Sequence, residues 1–353
     1  MKIAYIHPDT EGREEEIRQG LYPKNQLWGA GLLRQDGHEI LSVPTKCHNP
    51  MVRLGQWLNK LTGHRFCDFH IEFQVLALAR DVDLVYAPSG HFLILPALRR
   101  LGLFRPKVVT WFFRLPDTNP WWKPRNLRFS RYVLNGFDGL LCLAGNTTRD
   151  FKARTDGIPV DTIPWYADPD IFKPEVQAMG EGNYFLAVGK TRRDYATLLT
   201  ACAKVDAKFR IIAPKESAGS VPVPPNVEFV ETSSDPPDTA ISYPELRDWY
   251  AGAKAVLLPL SGDPGDTSGY TSLLEAIQMR KPVLMTRSGC LDVDVEELGI
   301  GKCVPPRDVG AWIRELKDWE GTGQLSNLDF RKAQEAFNSR NFGRQLQEFL
   351  TKL

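Results

Sequence analysis

Short apolar runs alternate with longer stretches of helical periodicity along the whole chain. In the first half the runs are Ile3–Ile6, Glu39–Val43, Leu84–Tyr86, Val108–Phe112 and Gly139–Leu143. In the second half they are Tyr184–Val188, Phe209–Ala213, Val227–Val230, Ala255–Pro259, Val283–Thr286 and Gly301–Val304. Brief aliphatic runs bounded by turn residues predict strands buried on both faces. Strands that recur with helices between them predict parallel sheets with crossovers, hence an α/β class. Ligands of such sheets bind beyond the carboxyl ends of the strands.

The pattern breaks at Ile163-Pro-Trp-Tyr-Ala-Asp-Pro-Asp-Ile-Phe-Lys-Pro174, where three prolines interrupt the periodicity. The expected domains are therefore residues 1–165 and 170–335. Phe330–Phe337 and Phe342–Leu353 place apolar residues at three- and four-residue steps and predict amphipathic helix. The helix at about 338–353 is free to pack back on the first domain. Ser217–Pro225 and Thr232–Thr239 read as loops.

At 353 residues the chain has room for two cores of ordinary size. No apolar run approaches the roughly 18 residues of a membrane span. Met1–His7 turns polar too early for a secretory signal and reads as a first buried strand. Six cysteines without a C-x-x-C pair favour reduced thiols in a cytoplasmic protein over disulfides or structural zinc.

Net charge is +1, unevenly divided. Residues 1–170 carry 22 Lys and Arg against 18 Asp and Glu, leaving 22 against 25 beyond. Most of the excess lies in 99–131, where nine cations face one acid, Asp117, with Trp111, Phe112, Phe113, Trp121 and Trp122 interleaved. Such a surface suits peripheral contact with an anionic membrane on its inner face or with a lipid-linked acceptor. A solvated basic face over core aromatics is the alternative, and nucleic acid is not expected as a partner.

The most informative segment is Gly269-Tyr-Thr-Ser-Leu-Leu-Glu-Ala-Ile-Gln-Met-Arg-Lys-Pro282. It sets a carboxylate, Glu275, on a short helix behind a loop of small residues. Free N–H groups at a helix N-terminus hold phosphate, and a carboxylate one or two turns along accepts hydrogen bonds from ribose hydroxyls. A solvated Glu275 on an ordinary helix-to-strand turn is the plain reading. Gly189 ends a strand and is followed by Lys190, Arg192 and Arg193, so cations sit where a leaving diphosphate needs neutralising. Lys190 and Arg193 are the preferred pair. Asp194 reads as a cap for the helix beginning at Tyr195.

In order, these segments resemble the GT-B glycosyltransferases, most of all the retaining nucleotide-sugar transferases of family 4. Gly20 to Gly29 leading to Gly37-His-Glu-Ile40 is similar to the family's glycine loop and "GHEV" strand. Ile163–Pro174 is similar to its "IPNGVDxxxFxP" segment, Gly189–Leu199 to its "GxxxRDYxTL" donor loop, and Gly269–Pro282 to its "GxxxLLEAMAxGKP" helix. The resemblance implies two Rossmann-like parallel-sheet domains facing a cleft, with the donor on the second and the acceptor on the first. It implies donor contacts from Gly20, Gly189, Gly269, Tyr270, Thr271, Ser272 and Glu275, with Lys190 and Arg193 on the diphosphate. A same-face displacement in which the leaving phosphate takes the acceptor's proton is also implied, with a UDP- or GDP-sugar as co-substrate and neither metal nor other cofactor. The acceptor is expected to be a glycan, a lipid-linked molecule or a small molecule.

One departure stands out. The family's first glutamate falls on Thr267, and Asp266 is the nearest acid that could replace it, with Asp263 a weaker choice. All six histidines lie at or before His91. His91 follows the strand Leu84–Tyr86 through Pro88-Ser-Gly90 and is the expected imidazole near the sugar, with His7 the second choice. Gly29-Ala-Gly31 lacks the third glycine of a dinucleotide fingerprint and predicts helix packing instead. A same-fold UDP-N-acetylglucosamine 2-epimerase, a sugar phosphorylase and a silent sugar-nucleotide or glycan-binding protein are the alternatives.

Overall fold

The computed structural model describes residues 1–44, 52–54, 57, 60, 69–88, 92–113, 127–175, 182–230, 241–262, 267–288, 291–321 and 328–353. The chain divides into two compact units, residues 1–18, 24–164 and 340–353 in one, and 19–23 with 165–339 in the other.

The first unit holds strands β1 (Lys2–His7), β2 (Glu39–Pro44), β3 (Leu84–Ala87), β4 (Lys107–Phe112), β5 (Gly139–Cys142) and β6 (Val160–Thr162), in the order β2-β1-β3-β4-β5-β6 and all parallel. Its helices are α1 (Thr10–Arg18), α2 (Ala30–Gln35), α3 (Phe69–Ala77), α4 (Ile94–Arg100), α5 (Leu127–Leu134) and α6 (Gly145–Arg154). The order in which the chain adds strands reverses between β1 and β3. In an open parallel sheet that switch point opens the crevice where ligands bind.

The second unit holds β7 (Tyr184–Val188), β8 (Phe209–Ile212), β9 (Val227–Val230), β10 (Ala253–Leu258), β11 (Val283–Thr286) and β12 (Gly301–Val304), in the order β12-β11-β10-β7-β8-β9, again all parallel. Helices α7 (Tyr195–Cys202), α8 (Tyr243–Gly252), α9 (Tyr270–Gln278), α10 (Val309–Gly321) and α11 (Arg331–Ala336) belong to it. Here the switch point lies between β7 and β10. Strands β7 and β11 are buried at every position, as expected of a sheet covered on both faces. Trp312 and Leu316 of α10 pack with Leu199 of α7 on one such face.

Helix α1 and strand β6 are not evident from the hydrophobic pattern. Helix α1 is polar on nearly all sides, and Asp9 starts it by accepting the Gly12 N–H at 2.9 Å. From sequence, Gly20 is expected in the loop after the first strand; the structure corrects this, since α1 lies between β1 and Gly20. Its φ of 71° suits the turn there. Strand β6 has only three residues, two of them polar, and takes its register from β5.

The N-cap of helix α4 is Leu93, whose side chain cannot cap it. Glu72 of α3 does so from outside. Its fully buried carboxylate accepts the N–H of Leu93 at 3.1 Å and of Leu95 at 2.7 Å. A helix N-terminus is thereby satisfied by an acid of a neighbouring helix.

The final helix, α12 (Ser339–Lys352), packs on the first unit through Phe342, Leu346 and Phe349. Phe342 stacks on Trp111 with ring centroids 6.0 Å apart. Gly29 lets the helix approach. A Cβ there would lie 2.6 Å from Leu346 and 3.0 Å from Phe342, and the residue has φ 88°. The expected helix packing at Gly29 is thus observed. Gly29→Ala should cost about 1–3 kcal/mol through overpacking and backbone strain, read as a lower urea midpoint at unchanged slope.

Candidate active site

The switch point of the second sheet is built by three segments that meet at the carboxyl ends of β7 and β10. Strand β7 is followed by Gly189, whose N–H donates to the Ile212 carbonyl at 3.0 Å. The loop that follows is clamped to the end of β10: Arg193 bridges Leu260, the Asp194 N–H donates to the Pro259 carbonyl at 2.7 Å and the Ser261 N–H to the Arg192 carbonyl at 3.2 Å. Asp194 then caps α7, accepting the Thr197 N–H at 3.1 Å and its hydroxyl at 2.7 Å. That role agrees with the one read from sequence.

Arg193 turns its guanidinium back over Gly189. Its Nη1 donates to the Thr191 carbonyl at 2.9 Å and its Nη2 to the Val188 carbonyl at 3.1 Å, with the Ser272 hydroxyl at 3.4 Å. A Cβ on Gly189 would sit 2.6 Å from Nη2, so the absence of a side chain makes room for the cation. Lys190 and Arg192 are exposed on the same loop. The Arg193 guanidinium is held in its orientation by those three acceptors.

Helix α9 opens beside this guanidinium. Gly269 occupies its N-cap and offers no side chain to the N–H groups of Thr271 and Ser272. Ser272 is buried with its hydroxyl between Val188 and Arg193, while Thr271 is half-buried. Tyr270 points elsewhere: its ring is buried edge-on to Phe337, its hydroxyl is engaged by the Trp165 backbone, and burial drives its pKa up. Its N–H also donates to the Thr267 carbonyl at 3.2 Å. Tyr270 thus packs the helix in place.

One turn into α9, Glu275 is 4% exposed. Its carboxyl accepts the Tyr250 hydroxyl at 2.8 Å. Burial raises its pKa to about 8, against the opposing pull of that hydrogen bond and of the Arg193 charge. The plain reading of a solvated Glu275 is therefore replaced by a buried one. Tyr250, from α8, is fully buried, and sequence analysis did not single it out.

The raised pKa has a definite sign. Below the ordinary carboxylate value of 4.5 the acid is neutral in both states and costs nothing; between there and about 8 only the unfolded chain ionises, so folding stability falls as pH rises. Denaturant melts should show the second unit losing stability between pH 5 and 8.5, with an upper bound on the order of 4 kcal/mol. Glu275→Gln should flatten that slope, and parallel slopes for the two proteins would refute the assignment.

At the β1/β3 switch point of the first unit, His7 ends β1 and is 8% exposed. Its Nδ1 accepts the Asp9 N–H at 3.3 Å, which assigns the proton to Nε2, and burial lowers its pKa. The ring stacks on Tyr5 at 5.8 Å. His91, Asp263 and Asp266 lie outside the described residues. Gly20 falls in the 19–23 segment that groups with the second unit.

The basic stretch 99–131 is described at 99–113 and 127–131. Its counted excess is reduced by acids from outside the window. Arg99 forms a two-pronged pair with Asp138 at 2.8 and 2.9 Å, and Arg131 pairs with Asp156. Arg100 lies 4.8 Å from the Tyr132 ring centroid. Trp111 is a core residue donating to the Tyr86 hydroxyl at 2.7 Å. Among the described residues no helix is long and apolar enough to cross a membrane. Asp294, Glu296 and Cys303 are one group of possible metal ligands, but Arg287 pairs with both carboxylates, at 3.5 and 2.5 Å.

No protein-family model matches the chain, and no curated protein matches it by sequence. Solved structures do match. HepE from Anabaena, in complex with UDP and glucose, superposes with a TM-score of 0.63 at 13% identity, over 100% of this chain and 100% of that one. The fold is GT-B. A sucrose-phosphate synthase from Thermosynechococcus elongatus gives a TM-score of 0.63 at 14% identity, covering 100% of this chain and 98% of that one. A Listeria monocytogenes protein described as a UDP-N-acetylglucosamine 2-epimerase gives 0.55 at 12% identity, over 98% and 94% of the two chains. The GT-B architecture thus also accommodates a chain assigned to a different reaction.

Proposed function

We propose that the chain is a retaining glycosyltransferase that moves a sugar from a UDP-linked donor, with GDP as the alternative base, to an acceptor hydroxyl. The observation that carries this reading is the Arg193 guanidinium fixed over Gly189 at the switch point, beside the start of α9 and one turn from Glu275. UDP is placed first because HepE, of the same fold, has been crystallised with UDP and with UDP-glucose.

Arg193 and Lys190 would neutralise the diphosphate, the N–H groups of Thr271 and Ser272 would hold its oxygens, and Glu275 would accept from the ribose hydroxyls. The bond from the anomeric carbon to the diphosphate breaks as the acceptor oxygen bonds to that carbon on the same face. The departing phosphate oxygen takes the acceptor's proton, so the scheme calls for no protein base and no metal. His91, which follows β3 in sequence, is the imidazole proposed near the transferred sugar, with His7 at the end of β1 the second choice. Family 4 membership, a cytoplasmic location and peripheral contact with an anionic bilayer through 99–131 belong to the same reading.

Calorimetric titration with UDP and with GDP tests it, followed by product analysis of sugar transfer by NMR. Saturable binding of one nucleotide and a product of unchanged anomeric configuration are expected; no binding of either nucleotide removes the reading. The likeness to the Listeria protein supports a second one, 2-epimerisation of UDP-N-acetylglucosamine. This chain has no histidine beyond His91 to serve it in the second unit. Inversion at C2 without an acceptor would favour the epimerase.

A further inference from the structure

We propose that Tyr250 is a positioning residue for Glu275, fixing one carboxyl oxygen so that the other is held toward the ribose of a bound nucleotide. The inference rests on the donor-site reading above and adds a residue that contacts no ligand.

Glu275 has a flexible side chain, and a carboxyl group presented to two ribose hydroxyls must be held in one rotamer to bind them well. Among the described residues its one hydrogen-bond partner is Tyr250, whose hydroxyl lies 2.8 Å from Oε2. The tyrosine is itself closely packed. It is fully buried on α8, with its ring edge-on to Phe172 at 6.1 Å. The same hydroxyl lies 3.4 Å from the Ser272 carbonyl, at the start of α9. Tyr250 therefore ties the carboxyl group to the helix terminus that would hold the phosphates. It can donate to an ionised Glu275, or donate to Ser272 while accepting from a neutral one. Arg193, whose charge also acts on Glu275, directs hydrogen bonds to Thr191, Val188 and Ser272.

Tyr250→Phe keeps the ring and removes the hydroxyl. Calorimetry with UDP, 2′,3′-dideoxy-UDP and inorganic pyrophosphate separates positioning from general damage. The variant should bind UDP about 10-fold more weakly, while dideoxy-UDP and pyrophosphate bind both proteins alike, because neither presents ribose hydroxyls to Glu275. Equal weakening toward all three ligands would show a merely structural tyrosine and overturn the proposal. Unchanged UDP binding by the variant would overturn it too, leaving the donor site standing. Failure of the wild type to bind UDP or GDP would instead remove the donor site itself. Glu275→Gln serves as the companion: Tyr250→Phe should add little to its loss of UDP affinity, and full additivity would count against the coupling.

Discussion

Replacing Arg193 with Ala should lower kcat/KM for sugar transfer by about 10²–10³, the usual loss when a fixed group that stabilises developing charge is removed. The effect follows from geometry as much as from charge. Three acceptors, the Thr191 and Val188 carbonyls and the Ser272 hydroxyl, aim the planar guanidinium. A lysine there keeps the charge but cannot span those acceptors, so Arg193→Lys should recover only a small part of the rate. Arg192→Ala, next door but exposed, should stay within about twofold of wild type. Steady-state kinetics on the three variants decide the matter. Equal losses at 192 and 193 would indicate a diffuse basic loop, and no loss at 193 would remove it from the diphosphate site.

Glu72→Ala should destabilise the first unit by about 3–5 kcal/mol, the sum expected for two buried N–H groups left without an acceptor and the cavity beside them. The mutation leaves the Leu93 and Leu95 N–H groups without their acceptor and opens a cavity at a fully buried position. For a unit of this size the loss corresponds to roughly 6–20 °C in Tm. Glu72→Gln retains an acceptor oxygen and should fall between the two. Calorimetry should show the first unit's transition moving and the second unit's nearly fixed. A Tm change below about 2 °C in Glu72→Ala would mean that water takes over the capping.

Much of the architecture was legible because doubly covered strands must be apolar at successive positions, and Tyr184–Val188 or Val283–Thr286 can be little else. Short Val160–Thr162 escaped because its partner strand, not its own pattern, places it. The loop Gly189–Asp194 and the helix from Gly269 to Glu275 were readable for a different reason: each carries its chemistry within one continuous stretch. Tyr250 was not, since a tyrosine beside Trp249 on an amphipathic helix looks like ordinary core, and only tertiary structure brings its hydroxyl to Glu275. The charge count over 99–131 likewise could not include partners supplied by the fold. Asp138 and Asp156 lie outside that window and answer Arg99 and Arg131 through space.

Helix α12 carries a consequence for biogenesis. Residues 340–353 complete the first unit, covering Gly29 and Trp111, yet they leave the ribosome after the entire second unit. At about 5–20 residues per second the interval from residue 164 is roughly 10–35 s. Throughout it the patch that Phe342 and Leu346 cover at Trp111 and Gly29 lacks that cover, so chaperone binding to the nascent chain should fall once α12 emerges.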